Sequence, residues 1–571
     1  MPIFCKLLHN LSIPNDDILQ RKVVCMDLIM MTHVQMDGHE HVLSNDCRKW
    51  ITDHSVERIV LMNVKNNINS VLNSELKELV PDSELEILEL PRIGLQDQKT
   101  PSELNGLPWQ ILTQICRQIR PNRDTTILLG RGAAIYDHVL WLTGQCYPGV
   151  EALHVDSCQP VLNTRNIRNH APIEQKILPA MLSSFLDDIK NKRVDVENYG
   201  YTDKERFMQL MNDTVLKGVA PALKEMVNKG GVEKYTTGTD VTYRLTPKAL
   251  QDAVSTYFSQ KPEKEADLPN LTIAFGRLPH IQSRKKDQVV EFDFFSYFTP
   301  LQPVDGLLVV LQRIDDSIQD SSILTLEDAL IKFEDSDFIG DLRHAHAVID
   351  RRTKEYDIDV AQHLVIINPK SDPHFQMDLF LRLLAYCEQF ENVHGSRQWD
   401  IDLTMPLNKI RSAVSFFSYA THTPPTYVLK SRADSVIIPR RSLVLSLPNR
   451  IARDAFEQQM NPHGNNKGDP NCLMGLYLWE LENTNDEVED IFAILDDQHS
   501  TTASIGIEPK NLKKKLEEYG LQKGNSHVHR VLGRLVQARL VSQEGTGFYL
   551  TDLGRFVAEQ IHNIRQFEVI E

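Results

Sequence analysis

Two hydrophobic periodicities alternate along the chain. Apolar runs of strand length stand at KVVCMDLIMM (22–31), VERIVLMNV (56–64), LEILELP (85–91), TTILLG (125–130) and EALHVD (151–156). A helix-like stretch separates the first two, and the helical patterns LPWQILTQICRQI and AAIYDHVLWLTG fill the gaps between the last three. Unbroken apolar runs mean strands covered on both faces, and their alternation with helices predicts a parallel sheet. A second series follows at LTIAFG (271–276), GLLVVLQRI (306–314), HLVIINP (363–369), WDIDLT (399–404) and TYVLKS (426–431), with helices FQMDLFLRLLAYCEQF and KIRSAVSFFSYAT in its last gaps. The stretch 315–356 is extra to this plan and reads as mostly helical.

A different pattern follows each series. Near the end, Pro509–Tyr519 reads as a short basic helix stopped by Gly520, and Ser526–Leu540 as a helix with its apolar residues at 528, 531, 532, 535, 536 and 540 in one stripe. Ser526 is placed to cap that helix. VSQEGTGFYLT then alternates about Gly545 and Gly547 as a ribbon would, and TDLGRFVAEQI closes as a final helix. Helix, turn, helix and ribbon together are the plan of a winged helix. The same order occurs earlier: Asp203–Asn212, Ala220–Asn228 with Pro221 in its first turn, a hairpin about Gly238, and the helix PKALQDAVSTYF. The segments VEKYTTGTDVTYRLTPKAL and LVSQEGTGFYLTDLGRFV share one plan about 300 residues apart, the signature of a duplicated domain pair rather than a solenoid. The expected fold class is therefore α/β: two Rossmann-like parallel-sheet domains at 1–170 and 261–460, each followed by a winged helix, at 171–260 (intact or as a degenerate copy) and 461–571. KPEKEADLPN (261–270) reads as the linker between halves and NPHGNNKGDPN (461–471) as a loop. A length of 571 residues agrees with four units at roughly 150 residues each.

Composition narrows the function classes. Hydrophobic residues at 41% and charged residues at 25% are the mix of a globular protein, and no apolar run approaches the ~18 residues of a membrane span. The start MPIFCKLLHNLS has no long apolar core, so no signal peptide is expected. Eight cysteines without a CxxC pair argue against a zinc ribbon or disulfide scaffold and for a reducing, cytoplasmic setting. The net charge of −16 repels nucleic acid, so any DNA contact has to come from a local basic patch.

Such a patch exists. Between Pro509 and Arg539 there are eight Lys/Arg against Glu517 and Glu518. With the apolar stripe buried, Ser526, His527, Arg530, Arg534 and Gln537 fall on the opposite face of the second helix, joined by Lys513 from the first. These residue types hold phosphates or read groove edges of double-stranded DNA. Leu473–Ser500 carries eight acids and no Lys/Arg, so it must face away from DNA. The first winged helix offers only Lys217, Lys224, Lys229 and Lys234.

The turns that follow strands carry the other candidate chemistry. Ligands of open α/β sheets bind beyond the carboxyl ends of strands, where glycine lets backbone approach an anion and Lys or Arg adds countercharge. Gly130–Arg131–Gly132 and Asn408–Lys409–Ile410–Arg411 would both serve a phosphate-rich ligand; equally, they are tight strand–helix turns with Arg131 solvated. No catalytic set, cofactor or metal site is expected. The HxH in DLRHAHAVIDRR (341–352) points its imidazoles apart on a helix. Glu291 and Asp293 in VEFDFF (290–295) lack a following lysine. P-loop, GxSxG and HExxH motifs are absent from the sequence.

The turns ILLGRGAAIYDHV (127–139) and IDLTMPLNKIRSAV (401–414), placed between apolar strands and helices ahead of winged helices, resemble those of the CARF (CRISPR-associated Rossmann fold) regulators. That family's turn is hydrophobic–Thr-Gly-Gly-Thr-Lys. The first segment here keeps Gly130 and Gly132 with Arg131; the second keeps Thr404 and Lys409 but neither glycine. The resemblance implies a regulator that senses an anionic nucleotide, of the cyclic oligoadenylate kind, in a cleft between two such domains. It implies that the loop after the first strand, Thr32 and His33 here, faces the ligand. Two domains in one chain would build that cleft as a monomeric pseudo-dimer, unless the chain forms a homodimer. Two alternatives stay open: a phosphodiesterase of this family that cleaves the cyclic ligand, with Lys409 or Arg131 stabilising the phosphorane, and a scaffold without ligand.

Overall fold

The structure is a computed structural model. It describes residues 26–32, 43–64, 70–91, 108, 111–112, 114–115, 118–120, 123–130, 132–146, 150–162, 173–191, 201–203, 216–237, 240–259, 261, 268–278, 304–315, 317–336, 338–404, 406–421, 423, 425–430, 442–446, 491, 493–495, 507–518, 524–537 and 541–550.

The first half is built on five strands, β1 (Met26–Met31), β2 (Val56–Val64), β3 (Glu84–Leu90), β4 (Asp124–Leu129) and β5 (Val150–His154). They lie in the order β3-β2-β1-β4-β5, and every pairing is parallel. Helices α1 (Asn45–Asp53), α2 (Ser70–Leu79) and α3 (Ala134–Cys146) join them, and α4 (Glu174–Lys190) follows. The apolar interiors of β1, β2 and β4 are buried from end to end, as their unbroken hydrophobicity requires. The end strand β3 differs: its glutamates Glu84, Glu86 and Glu89 recur along an otherwise apolar strand, and Arg58 of β2 holds Glu86.

Next come β6 (Tyr201–Asp203), α5 (Leu216–Asn228), β7 (Val232–Thr237), β8 (Asp240–Leu245) and α6 (Pro247–Ser259). The three strands form one antiparallel sheet in the order β6-β8-β7. Asp203 thus ends a strand rather than opening a helix, and α5 starts four residues before Ala220, so that Pro221 sits inside it.

In the second half, β9 (Asn270–Arg277), β10 (Gly306–Arg313), β11 (Ser322–Thr325), β12 (Asp359–Val360), β13 (Leu364–Ile367), β14 (Gln398–Asp402), β15 (Pro425–Lys430) and β16 (Ser442–Ser446) share one sheet. Its central order, β13-β10-β9-β14-β15, repeats that of the first sheet, again parallel throughout. Of the additions, β11 on β13 and β16 on β15 are antiparallel, while the two-residue β12 pairs parallel with β10. The inserted stretch 315–356 is therefore not all helix; β11 precedes α7 (Leu326–Lys332) and α8 (Ile339–Glu355), with Thr325 capping α7 through the Asp328 N–H at 3.1 Å. Helix α9 (Pro373–His394) is capped by Asp372, has proline at its first position and stops at Gly395, whose φ of +84° suits only glycine. Gly306 is equally constrained, because a Cβ there would lie 2.6 Å from the Phe390 ring.

The two halves share one hydrophobic core. α3 packs against α10 (Arg411–Ala420), the helix that follows the equivalent strand of the second sheet. Trp141 of α3 is fully buried, donates Nε1–H to the Leu162 carbonyl at 2.8 Å, and meets Phe416 and Tyr419 edge-on. A polar knot joins three other helices: Glu388 of α9 accepts from Lys190 of α4 at 2.8 Å, from Tyr257 of α6 at 2.7 Å, and from Lys261.

A separate small core holds the last elements, α11 (Pro509–Glu518), α12 (Asn525–Gln537), β17 (Val541–Glu544) and β18 (Gly547–Leu550). Val528, Val531, Leu532 and Leu535 are its buried stripe, and Gly545 makes the ribbon turn at φ +59°. Helix α12 begins at Asn525, so Ser526 lies inside its first turn rather than at the cap. The expected closing helix at 551–561 falls outside the described residues. No helix among the described residues is long and apolar enough to cross a membrane.

Burial pushes the Glu388 carboxyl up, yet Lys261 and Lys190 outweigh it and hold the group below the usual carboxylate range. Glu388→Gln should therefore cost about 2 kcal/mol, less than a wholly buried pair because both lysines are partly exposed. A depressed folded pKa stabilises only above the unfolded value, near 4.3, and its contribution is lost as pH falls through the folded value. Denaturant midpoints of wild type and variant should thus converge on acidification below pH ~4.3, and a gap that persists there would contradict the charge-based account.

Candidate functional site

The carboxyl ends of the two parallel sheets meet, and the turn after β4 touches the turn after β14. Gly130 has φ +105°, and a Cβ on it would sit 3.0 Å from His154 Nε2, so only glycine fits. The Asn408 side chain donates Nδ2–H to the Gly130 carbonyl at 2.9 Å, and the Asn408 carbonyl lies 3.3 Å from His154 Nε2. A second tie is Ser157 Oγ to Ser371 Oγ at 3.0 Å. Below the turns, His138 Nδ1 of α3 is 2.9 Å from Ser415 Oγ of α10.

Charge sits at the centre of this junction. Asp137 of α3 is buried, and its Oδ1 accepts the N–H groups of Gly130 at 3.2 Å and Gly132 at 3.3 Å. The chain's own carboxylate thus occupies the backbone nest that glycine turns offer to anions. Its other oxygen, Oδ2, accepts from Arg411 Nη1 at 2.6 Å. The same guanidinium spans further, to the Gly132 carbonyl at 2.6 Å and the Pro406 carbonyl at 3.1 Å. Arg411 thereby binds both turns at once. Arg277, at the end of β9, is held below the ordinary arginine value by burial and by the nearby Arg411 charge. Lys409 lies half-buried on the single 3-10 turn Asn408–Ile410.

His154 is 1% exposed, and burial lowers its pKa; Asp156, the Asn408 carbonyl and Asp137 oppose that shift, while Lys409 adds to it. The ring is neutral in the tautomer that donates from Nε2 to Asn408, since Nδ1 accepts the Asp156 N–H at 3.3 Å.

Of the ligand-site residues expected from sequence, Gly130, Gly132, Asn408 and Lys409 come together here. Thr32 is buried at the end of β1, its hydroxyl 3.1 Å from the Met62 carbonyl and 3.0 Å from Asn63 Oδ1, within its own sheet. Thr404 gives its N–H at 2.8 Å, and its hydroxyl, to Asp402 Oδ1. Arg131 and His33 lie outside the described residues, as do Glu291 and Asp293. Asp137, His154 and Arg411 carry the junction, and sequence reading passed over the first two. His154 was concealed as a polar letter within an apolar run, and Asp137 as one polar position on a buried helix.

On the last domain, Ser526 and Arg530 are exposed on α12, and Lys513 of α11 pairs with Glu517 at 3.4 Å. His527, Arg534 and Gln537 belong to α12 by their backbone. The buried Ile491, Ile494 and Leu495 of the acidic stretch face the same core. His344 and His346 are exposed on α8, and no group of three His, Cys, Asp or Glu among the described residues could hold a metal ion.

These features define an α/β protein with two parallel sheets of one strand order, abutting at their carboxyl ends. No protein-family model matches the chain, and no curated protein matches it. Fourteen chains of solved structures do. One is Can2 from Sulfobacillus thermosulfidooxidans in complex with cyclic tetra-adenylate, at 10% identity over 39% of this chain and 77% of that one, with a TM-score of 0.16.

Two outcomes follow for the junction. Asp137→Ala should cost about 3–5 kcal/mol, because it strands the buried Arg411 charge, and adding Arg411→Ala should cost less than the sum of the single changes. Denaturant titration of the four-member cycle measures this; simple additivity would mean the pair does not couple. His154, depressed in the fold, lets the unfolded chain bind more protons below pH ~6.5, so stability is complete above that value and falls with pH below it. His154→Gln should flatten that part of the curve, seen as a smaller midpoint change between pH 7 and 5.

Proposed function

We propose that the chain is a cytoplasmic, ligand-responsive DNA-binding transcription regulator that senses an anionic nucleotide of the cyclic oligoadenylate kind. One observation carries the reading. The carboxyl ends of two parallel sheets of one strand order converge on glycine-bearing and cation-bearing turns, with Lys409 next to Asn408, which touches Gly130, and Arg277 within electrostatic reach of Arg411. Sheet carboxyl ends are where open α/β folds take ligands, and arginine and lysine suit phosphate. The turns' resemblance to CARF regulators gives the ligand class. The two halves would act as a pseudo-dimer within one chain. The last domain, read as a winged helix, presents Ser526 and Arg530 to solvent opposite a buried stripe, as a phosphate-holding face requires. The module of 171–260 then serves for packing: its buried residues belong to the large shared core, and its Lys229 is engaged by Glu174 and Glu225.

A second reading, a scaffold without ligand, is favoured by Asp137. Its carboxylate takes the two glycine N–H groups that a phosphate would use. Calorimetric titration of cyclic tri-, tetra- and hexa-adenylate separates the two. Binding that weakens about ten- to a hundredfold in Lys409→Ala or Arg131→Ala supports the sensor, since a charge-assisted contact to phosphate is worth roughly 1.5–3 kcal/mol. No binding by wild type supports the scaffold. Chromatography of the same mixtures reads out cleavage of the ring.

For DNA, Arg530→Ala with Arg534→Ala should weaken duplex binding and reduce the slope of log affinity against log salt by about two, close to one per phosphate contact. Lys217→Ala with Lys224→Ala should matter less. Equal losses from both pairs would overturn the ranking of the two modules.

A further inference from the structure

Two thiols meet on the face of the first sheet away from the shared core. Cys47, third residue of α1, is wholly buried among Leu28, Met30, Ile59 and Leu153. Cys158 stands in the turn after β5, half-buried against the same cluster, with a left-handed φ of +48°. Ser44 fixes their approach: its Oγ accepts the Cys47 N–H at 3.2 Å and donates to the Val155 carbonyl at 3.1 Å. The two side chains are within hydrogen-bonding reach of each other. Neither takes part in the junction's polar contacts.

We propose that Cys47 and Cys158 form a dithiol oxidised to a disulfide by a hydroperoxide, and that this oxidation loosens the contact between the two sheets. Cys158, the more exposed thiol, attacks one peroxide oxygen; the O–O bond breaks, and the leaving oxygen departs as an alcohol, or as water from hydrogen peroxide, taking the thiol proton. Cys47 sulfur then attacks the Cys158 sulfenic sulfur, the S–O bond breaks, and its oxygen leaves as a second water with the Cys47 proton. Two thiols lose two electrons to one peroxide, and the disulfide remains. The Cys47 thiol lowers the Cys158 pKa by hydrogen bonding, against burial and the Asp46 charge, which favours the thiolate that such an attack needs. In a reducing compartment the bond would be transient, as regulatory disulfides are. The link to the junction is short in sequence. His154 and Ser157, which reach Asn408 and Ser371, precede Cys158 in the same turn, so drawing Cys158 toward α1 pulls on both contacts.

The test uses the full reduced chain, treated with hydrogen peroxide and digested without reductant. A peptide joining residues 47 and 158 is expected, absent in Cys158→Ser, a change that spares the core because Cys158 is half-exposed. In Cys47→Ala the sulfenic acid should persist at residue 158 and be trapped by dimedone. Absence of the joined peptide from wild type, or dimedone labelling that avoids residue 158 in Cys47→Ala, overturns the dithiol. Amide exchange should then quicken at least fivefold at 154–158 and 408–411 in the oxidised chain but not in peroxide-treated Cys158→Ser. Unchanged exchange there with the disulfide formed overturns its bearing on the junction.

Discussion

The junction depends on one buried ion pair. Arg411 bridges the two halves of the chain through Asp137 and the Gly132 carbonyl, and Asp137 in turn fixes the glycine turn that Asn408 touches. A charge removed from water needs an opposite charge and filled hydrogen bonds, and this pair is supplied with both. The geometry follows from that requirement. A displacement of α3 against α10 would part the Arg411 guanidinium from the Asp137 carboxylate and leave two buried charges unpaired. Trp141, Phe416 and Tyr419 then fill the space that the pair sets. Hydrophobic contact alone would tolerate sliding between two helices; a carboxylate held by two backbone N–H groups and a guanidinium does not.

The two sheets have the same central order but differ at this contact. In the first half the glycine nest is filled from within by Asp137; in the second half the corresponding turn holds cations, Lys409 and Arg411, with Arg277 close by. Independent changes of this kind are open to two domains joined in one chain, whereas a symmetric pair of identical chains must change both sides together.

Much of the fold was legible from pattern. Each of the five strands of the first sheet and the five central strands of the second overlaps one of the apolar runs, because a strand covered on both faces has an apolar interior; the end strand β3, with its glutamates, is the exception to full burial. The antiparallel strands β11 and β16 were not legible: β11 lay inside a stretch whose flanking periodicity is helical, and β16 lies beyond the last run assigned to the sheet. Helix starts slipped by a few residues: Ser526 falls in the first turn rather than at the cap, and Pro221 is the sixth residue of α5 rather than part of its first turn. For the site, glycine spacing pointed correctly to a strand–helix turn, since backbone constraint leaves a mark in sequence. What fills the turn leaves none. Asp137 is seven positions from Gly130 and Arg411 is 274 from Asp137, so their meeting is a property of the packed chain.

Among the described residues, β3 has no neighbouring strand on its outer side. An end strand exposes a row of unpaired amides and carbonyls, an invitation to another chain. On β3 that row is flanked by Glu84, Glu86 and Glu89, and at the opposite end residues 159–161 fold back on β5, with the Gln159 carbonyl accepting the His154 N–H and Pro160 bridging Leu153. A foreign strand laid along β3 would have to desolvate those carboxylates, and one laid along β5 would find its place taken. Among the described residues, both margins of this sheet thereby discourage edge-to-edge polymerisation, a safeguard against aggregation.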